Sequence, residues 1–155
     1  FYQTGMRLSE LINLKDAAVN QQYIKVLGKR NKERLIPISP ELLLKINQYR
    51  VAKRALGLDH PNLLLRINGQ ALYPQLVYRL VKEVLGTLSG VEKRSPHVLR
   101  HTFATHMLNN GAGLETLKDL LGHANLSATQ VYTHNSFAQL RKAYGSAHPR
   151  ALKTP

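Results

Sequence analysis

The sequence predicts an α+β domain, mostly α-helical, with a single small antiparallel hairpin. Three observations carry that expectation. Leucine-rich segments at three- and four-residue spacing recur along the chain. Only two short β-branched runs pair convincingly, across a polar turn. Two Ser-Pro pairs, Ser39-Pro40 and Ser95-Pro96, stand where helices should begin. The chain has 155 residues, 43% of them hydrophobic, which suffices for one domain with a real core.

In chain order, Met6, Leu8, Leu11, Ile12 and Leu14 fall at helical spacing and predict a short first helix. Residues 22–27 (QYIKVL) and 34–38 (RLIPI) predict the two strands. The polar turn GKRNKE, residues 28–33, joins them into a β-hairpin with a basic tip. Ser39 as cap, Pro40 in the first turn and Glu41 behind it start a helix that runs to about Leu56. Residues 62–67 are a candidate strand, and Asn68-Gly69 is a turn. Pro74 opens a helix through about Leu88. Ser95-Pro96 opens another, which Gly111 ends. Leu114, Leu117, Leu120 and Leu121 make a short amphipathic helix stopped at Gly122. In the stretch HANLSATQVYTHN, Asn125 or Ser127 can cap a helix carrying Tyr132. An amphipathic piece from Phe137 to Tyr144 and a basic, proline-bearing tail close the chain. There is no internal repeat, low-complexity tract or interdomain linker.

Lys and Arg number 22 against 9 Asp and Glu, a formal charge of +13. Such an excess attracts a polyanion, nucleic acid first among them. Composition alone leaves open a basic structural protein without catalysis. With no Cys, disulfides and thiolate sites are excluded, and a reducing, cytoplasmic setting is the expectation. No apolar run approaches the ~20 residues a bilayer span needs, and no secretory signal opens the chain. No membrane partner is expected. The opening FYQTGMRLSEL lacks an initiator Met and lies close to a helix, so an excised domain is expected.

The stretch SPHVLRH, residues 95–101, poses the sharpest chemical question. His97 and His101 share a helical face at the spacing of helical zinc ligands. That signature needs a Glu after the first His as general base, and here Val98 stands there. The nearest acid on the C-terminal side is Glu115. A metal site is therefore the weaker reading. The stronger one puts Arg100, one turn from His97, against an anion.

The motifs TGMRLSEL, GKRNKER, SPHVLRH, LLGHANLS and TQVYTH, in this order and over this length, resemble the catalytic domain of the tyrosine recombinases (the phage-integrase-like family), most closely the bacterial Xer type. The resemblance implies that family's catalytic-domain fold over residues 1–135. Residues 136–155 would be a C-terminal helix and basic tail of the same domain, open to exchange with a neighbouring subunit. It also implies an N-terminal DNA-binding domain that this chain does not carry. The site it implies has six catalytic residues: Arg7, Lys29, His97, Arg100, His123 and the nucleophile Tyr132, with Glu10 supporting Arg7. Met6 stands where Leu is usual, and Arg30 where Gly is usual in the hairpin. The implied partners are double-stranded DNA and other recombinase subunits in a tetrameric synaptic complex. The setting is a bacterial cytoplasm, at the nucleoid when DNA is bound. Neither metal nor other cofactor is implied.

Those residue types suit the chemistry on their own terms. Attack on a phosphodiester builds negative charge on the nonbridging oxygens. Two guanidiniums, Arg7 and Arg100, can hold that charge bidentately, and His123 can add a hydrogen bond. A tyrosine hydroxyl, with a pKa near ~10, needs a base; imidazole as a side-chain type titrates near neutrality, which makes His97 the candidate. Lys29 on its hairpin can protonate the departing 5′ oxygen. A covalent 3′-phosphotyrosine conserves the bond energy, so rejoining needs neither ATP nor metal.

Most tyrosines pack, and Tyr23, Tyr49, Tyr73, Tyr78 and Tyr144 are read that way. Tyr132 differs because it follows His123 at the family's spacing. His101 and His106 are read as packing or supporting hydrogen bonds. Lys15, Lys25, Arg50, Lys53, Arg54, Arg79, Lys82 and Lys93 are read as solvated charges. The function expected is site-specific DNA recombination by strand cleavage and rejoining. Type IB topoisomerase-like relaxation and a non-catalytic DNA-binding fragment are the alternatives.

Overall fold

Ser39 and Ser95 begin two helices in the same way in the computed structural model of the chain, which describes residues 1–28, 32–88, 90, 92–122 and 134–151. The Ser39 hydroxyl accepts from the Leu42 amide at 3.2 Å, and that of Ser95 from the Val98 amide at 3.4 Å. A proline follows each cap, where its missing N–H is no loss. The elements in order are α1 (Leu8–Ile12), a 3₁₀ turn (Asp16–Ala18), β1 (Tyr23–Leu27), β2 (Glu33–Pro37), α2 (Pro40–Ala55), α3 (Pro74–Gly86), α4 (Pro96–Asn109), α5 (Leu114–Leu121) and α6 (His134–Ala147). β1 and β2 pair antiparallel, Ile24 opposite Ile36 and Val26 opposite Arg34.

Two apolar clusters form the core. Met6, Leu14, Val19, Ile24, Val26 and Ile36 gather the first half around the hairpin. Phe103, Met107, Leu117, Leu120, Leu140 and Tyr144 bring α4, α5 and α6 together. Burying side chains of this size is worth roughly 1.5–3 kcal/mol each. β2 lies at the seam, touching both α5 and α6.

Three sequence expectations change. Residues 62–67 form no strand, only single bridges, Lys15 to Asn62 and Leu65 to Ala71. The Asn68-Gly69 turn reverses the chain too soon for a ladder, as Arg66 donates to the Gln70 carbonyl at 2.8 Å.

Arg50 and Lys53 are structural cations, whereas Lys15 stays exposed as expected. Lys53 is buried and donates to the carbonyls of His60 and Asn62 at 2.9 and 2.7 Å. Arg50 grips Asp16 through its side chain at 2.6 Å and its carbonyl at 2.7 Å, and Lys15 donates to the Asn62 side chain at 2.7 Å.

Tyr73 and Tyr78 sit at the surface, whereas Tyr144 is buried. The stripe from Phe137 to Tyr144 packs on its own domain. Leu140 and Tyr144 lie in the helical cluster, and the Phe137 ring meets Tyr23 edge-on at 5.2 Å. Exchange with a neighbouring subunit would first have to withdraw both buried side chains.

Candidate active site

Arg7 and Glu10 open the site because the first turn of α1, like that of any helix, leaves amides without helical partners. The Glu10 carboxylate reaches back to the Arg7 amide at 2.7 Å and to its guanidinium at 3.0 Å. The same carboxylate takes both Nη atoms of Arg34, at 2.6 and 2.9 Å, in a bidentate pair buried on both sides. Burial works to raise the Glu10 carboxyl. The hydrogen bonds and charge of Arg34, followed by the bonds from Arg7, outweigh it and hold the group at about 2. Glu10 is an anion at any working pH.

The guanidiniums then converge on one helix end. α5 finishes at Gly122, in a left-handed conformation with φ 65°, which leaves carbonyls without helical partners. Arg34 Nε donates to the Leu120 carbonyl at 2.7 Å, Arg100 Nη2 to Leu121 at 2.8 Å, and Arg7 Nη2 to Gly122 at 2.8 Å. Arg100 Nη1 also donates to the Gly5 carbonyl. Three arginines thus cap three consecutive carbonyls at the negative end of a helix dipole.

Two glycines make the approach possible. At Gly5, φ is 58°, and a methyl group would meet the Phe103 ring at 2.5 Å. At Gly122 a methyl would meet Arg34 Nη1 at 2.9 Å.

Among the described residues, three guanidiniums meet one carboxylate here, so positive charge is in excess. Burial, and then the like charges of Arg7 and Arg34, lower Arg100 to about 10, which leaves it cationic at neutral pH. Its described bonds use two of five N–H donors. An electropositive site with donors to spare fits an anion with several oxygens, as a phosphate has.

His97 is exposed on the first turn of α4, one turn before Arg100 and on the same face. Lys29, His123 and Tyr132 lie outside the described residues. The residues just before two of them are described. A methyl on Gly28 would sit 3.7 Å from Arg34 Nη1 and 3.8 Å from Glu10 Oε1, and Gly122 closes on the same guanidinium. His101 is exposed, and His106 shares a 2.8 Å hydrogen bond with the Tyr2 hydroxyl. Arg34 is the member that sequence reasoning missed. A signal existed: counting by twos from Ile36 puts Arg34 on the apolar face of β2.

The phage integrase family profile matches residues 1–139, most of the chain. The chain belongs to the phage integrase family. Among curated relatives, Tyrosine recombinase XerC of Staphylococcus carnosus (strain TM300) is 47% identical over 155 residues, covering 98% of this chain and 52% of its own length. Tyrosine recombinase XerC of Chlorobaculum tepidum is 41% identical over 160 residues, covering 97% of this chain and 47% of its own. The chain therefore spans about half the length of the curated relatives it matches. Among solved structures, the XerA recombinase crystal structure superposes with a TM-score of 0.72 at 31% identity, over 95% of this chain and 55% of that one. The integrase fold of this chain is thus the recombinase catalytic fold, mostly helical with, among the described residues, one two-stranded antiparallel sheet. No helix among the described residues is long and apolar enough to cross a membrane.

Proposed function

We propose that this domain cuts and rejoins double-stranded DNA in site-specific recombination, through a 3′-phosphotyrosine on Tyr132. The observation that carries the reading is the convergence of Arg7 and Arg100, remote in sequence, on adjacent carbonyls at the end of α5. A pair of guanidinium forks with positive charge in surplus over the one carboxylate among the described residues of the site is suited to the charge that grows on a phosphodiester under attack. In this reading the Tyr132 oxygen attacks phosphorus as His97 takes its proton. The bond from phosphorus to the 5′ oxygen breaks, Lys29 protonates that oxygen, and His123 donates to a nonbridging oxygen. The free 5′ hydroxyl of a partner strand later reverses the step. The recombinase names of its relatives support strand exchange over simple relaxation.

Covalent capture on a library of nicked duplexes tests this. The native full-length protein should form a protein–DNA adduct that survives EDTA and disappears in Tyr132→Phe. An undiminished adduct in that variant overturns the nucleophile assignment. Relaxation of supercoils with no strand exchange overturns the recombination reading.

A further inference from the structure

We propose that Arg34 is a positioning residue for strand cleavage: by clamping Glu10 and the end of α5 together, it sets Arg7 and the backbone leading into His123. The inference deepens the strand-cleavage reading and rests on it. Four residues from three segments of the candidate site meet at this one guanidinium. Glu10 of α1 is held by both Nη atoms, and the Leu120 carbonyl of α5 by Nε. Gly122 and Gly28, the residues before His123 and Lys29, have their missing side chains facing it at 2.9 and 3.7 Å. Arg34 is itself buried, with 4% of its side chain exposed. It is thus placed to act on DNA through its neighbours and not by touching it.

The charges make the link directional. Glu10 orients Arg7 only as an anion, since a protonated carboxyl would have to give up an acceptor oxygen. Burial alone would favour the protonated form, and Arg34 is the largest influence opposing it. Without Arg34, Glu10 should take up a proton within the working pH range and release its hold on Arg7. A lysine there keeps the charge but offers no planar fork, so it can serve Glu10 or Leu120 but not both in the same geometry.

The test has a structural arm and a chemical arm, both on the native full-length protein. Carboxyl ¹³C NMR follows Glu10 in the parent and in Arg34→Gln. The parent signal should stay ionised down to about pH 2, and the variant signal should titrate at clearly higher pH. An unchanged Glu10 titration overturns the proposal, whatever the enzyme does.

For the chemical arm, single-turnover adduct formation is measured from pH 5 to 8 on the nicked duplex that the parent captures best. Misplacing a phosphate-binding group can cost about 10²-fold, and Arg34→Gln should lose about that much at saturating DNA with little change in DNA affinity. The loss should deepen as pH falls, with Arg34→Lys restoring part of the rate and flattening the pH profile. A loss equal at every pH, or confined to DNA affinity, overturns the positioning role. A parent that forms no adduct on any duplex overturns the strand-cleavage reading itself, a result distinct from either.

Should Arg34→Gln fail to fold, Gly122→Ala keeps every charge and pushes on the same guanidinium. It should show the same acid-deepened loss, and normal cleavage in that variant, correctly folded, counts against the proposal.

Discussion

Two buried polar knots tie this domain together, and they are built on opposite principles. In the first, Glu10 gathers the charges of Arg7 and Arg34, with Arg100 alongside. In the second, at the far end of α4, the buried side chains are neutral, and the Arg150 guanidinium lies outside them, over the Tyr2 ring at 5.8 Å. His148 is fully buried and stacks on Tyr144 at 4.9 Å and 14°, while its Nδ1 accepts from the Arg150 amide at 3.1 Å. That bond assigns the proton to Nε2, which lies 3.2 Å from the Tyr2 carbonyl and donates to it. Tyr144 donates to the Gln3 carbonyl at 2.9 Å. The charged knot holds the groups that would meet a phosphate, and the neutral knot holds α6 onto the start of the chain. A site that must bind an anion keeps positive charge in surplus, whereas a latch that only packs has no use for it.

The largest effect should come from breaking the charged knot at its centre. Glu10→Gln removes the one carboxylate and leaves neighbouring guanidiniums without compensation. Removing one partner of a buried pair costs about 3–5 kcal/mol, and a loss of that size is expected in urea unfolding at pH 7. A loss below 1 kcal/mol, on the order of an exposed pair, would mean that water already screens the cluster. Then the two knots would not differ as argued.

The neutral knot should reveal itself through pH. Burial, which outweighs the opposing hydrogen bond to Tyr2 and is helped by the charges of Arg150 and His106, pushes His148 below its ordinary value of 6.5. The groups facing it are Tyr2, His106 across the Tyr2 ring, Tyr144 and Arg150. The unfolded chain therefore binds the proton first. The stability owed to neutral His148 is complete above about 6.5, where the unfolded group is also neutral, and is lost as pH falls through the folded value. Tm should drop between pH 7.5 and pH 5, and His148→Phe should flatten part of that drop while losing about 1–2 kcal/mol at pH 7.5 from its two hydrogen bonds. An unaltered slope in the variant would assign the pH dependence to other histidines. Over the same range the charged knot should contribute nothing, because Glu10 titrates at about 2.

These knots also mark where sequence reading succeeds and where it stops. Local rules placed Ser39, Ser95 and Gly122 at helix ends, because caps and left-handed turns are decided within a few residues. Motif spacing located Arg7, Glu10 and Arg100, which the fold does bring to one helix end. Arg34 was hidden because its role depends on Glu10 and Leu120, contacts made only after the hairpin meets α1 and α5. Lys53 and Arg50 were misread for the same reason, since their partners lie on loops that pattern alone does not position. The absence of a strand at 62–67 was a tertiary outcome too, because the Leu65 amide goes to the Tyr49 hydroxyl at 3.0 Å instead of to a ladder.

The smallest expected effect separates burial from pairing. Lys25 and Glu33 bridge the two strands at 2.7 Å, close to the 2.6 Å of Arg34 and Glu10. By distance alone the two contacts are equivalent. Their surroundings differ: the Lys25 and Glu33 side chains are 48% and 55% exposed, against 4% and 3% for Arg34 and Glu10. Water and salt screen the exposed pair, and ordering two long side chains offsets most of what remains. Glu33→Gln should therefore change stability by less than about 0.5 kcal/mol, and the difference should vanish in 1 M salt. The salt test is sharp because Glu10→Gln should keep nearly all of its loss there, its partners being out of reach of the ion atmosphere. If Glu33→Gln proves as damaging as Glu10→Gln, or equally resistant to salt, pairing geometry and not burial governs both. The charged knot would then owe nothing to its place between the two cores.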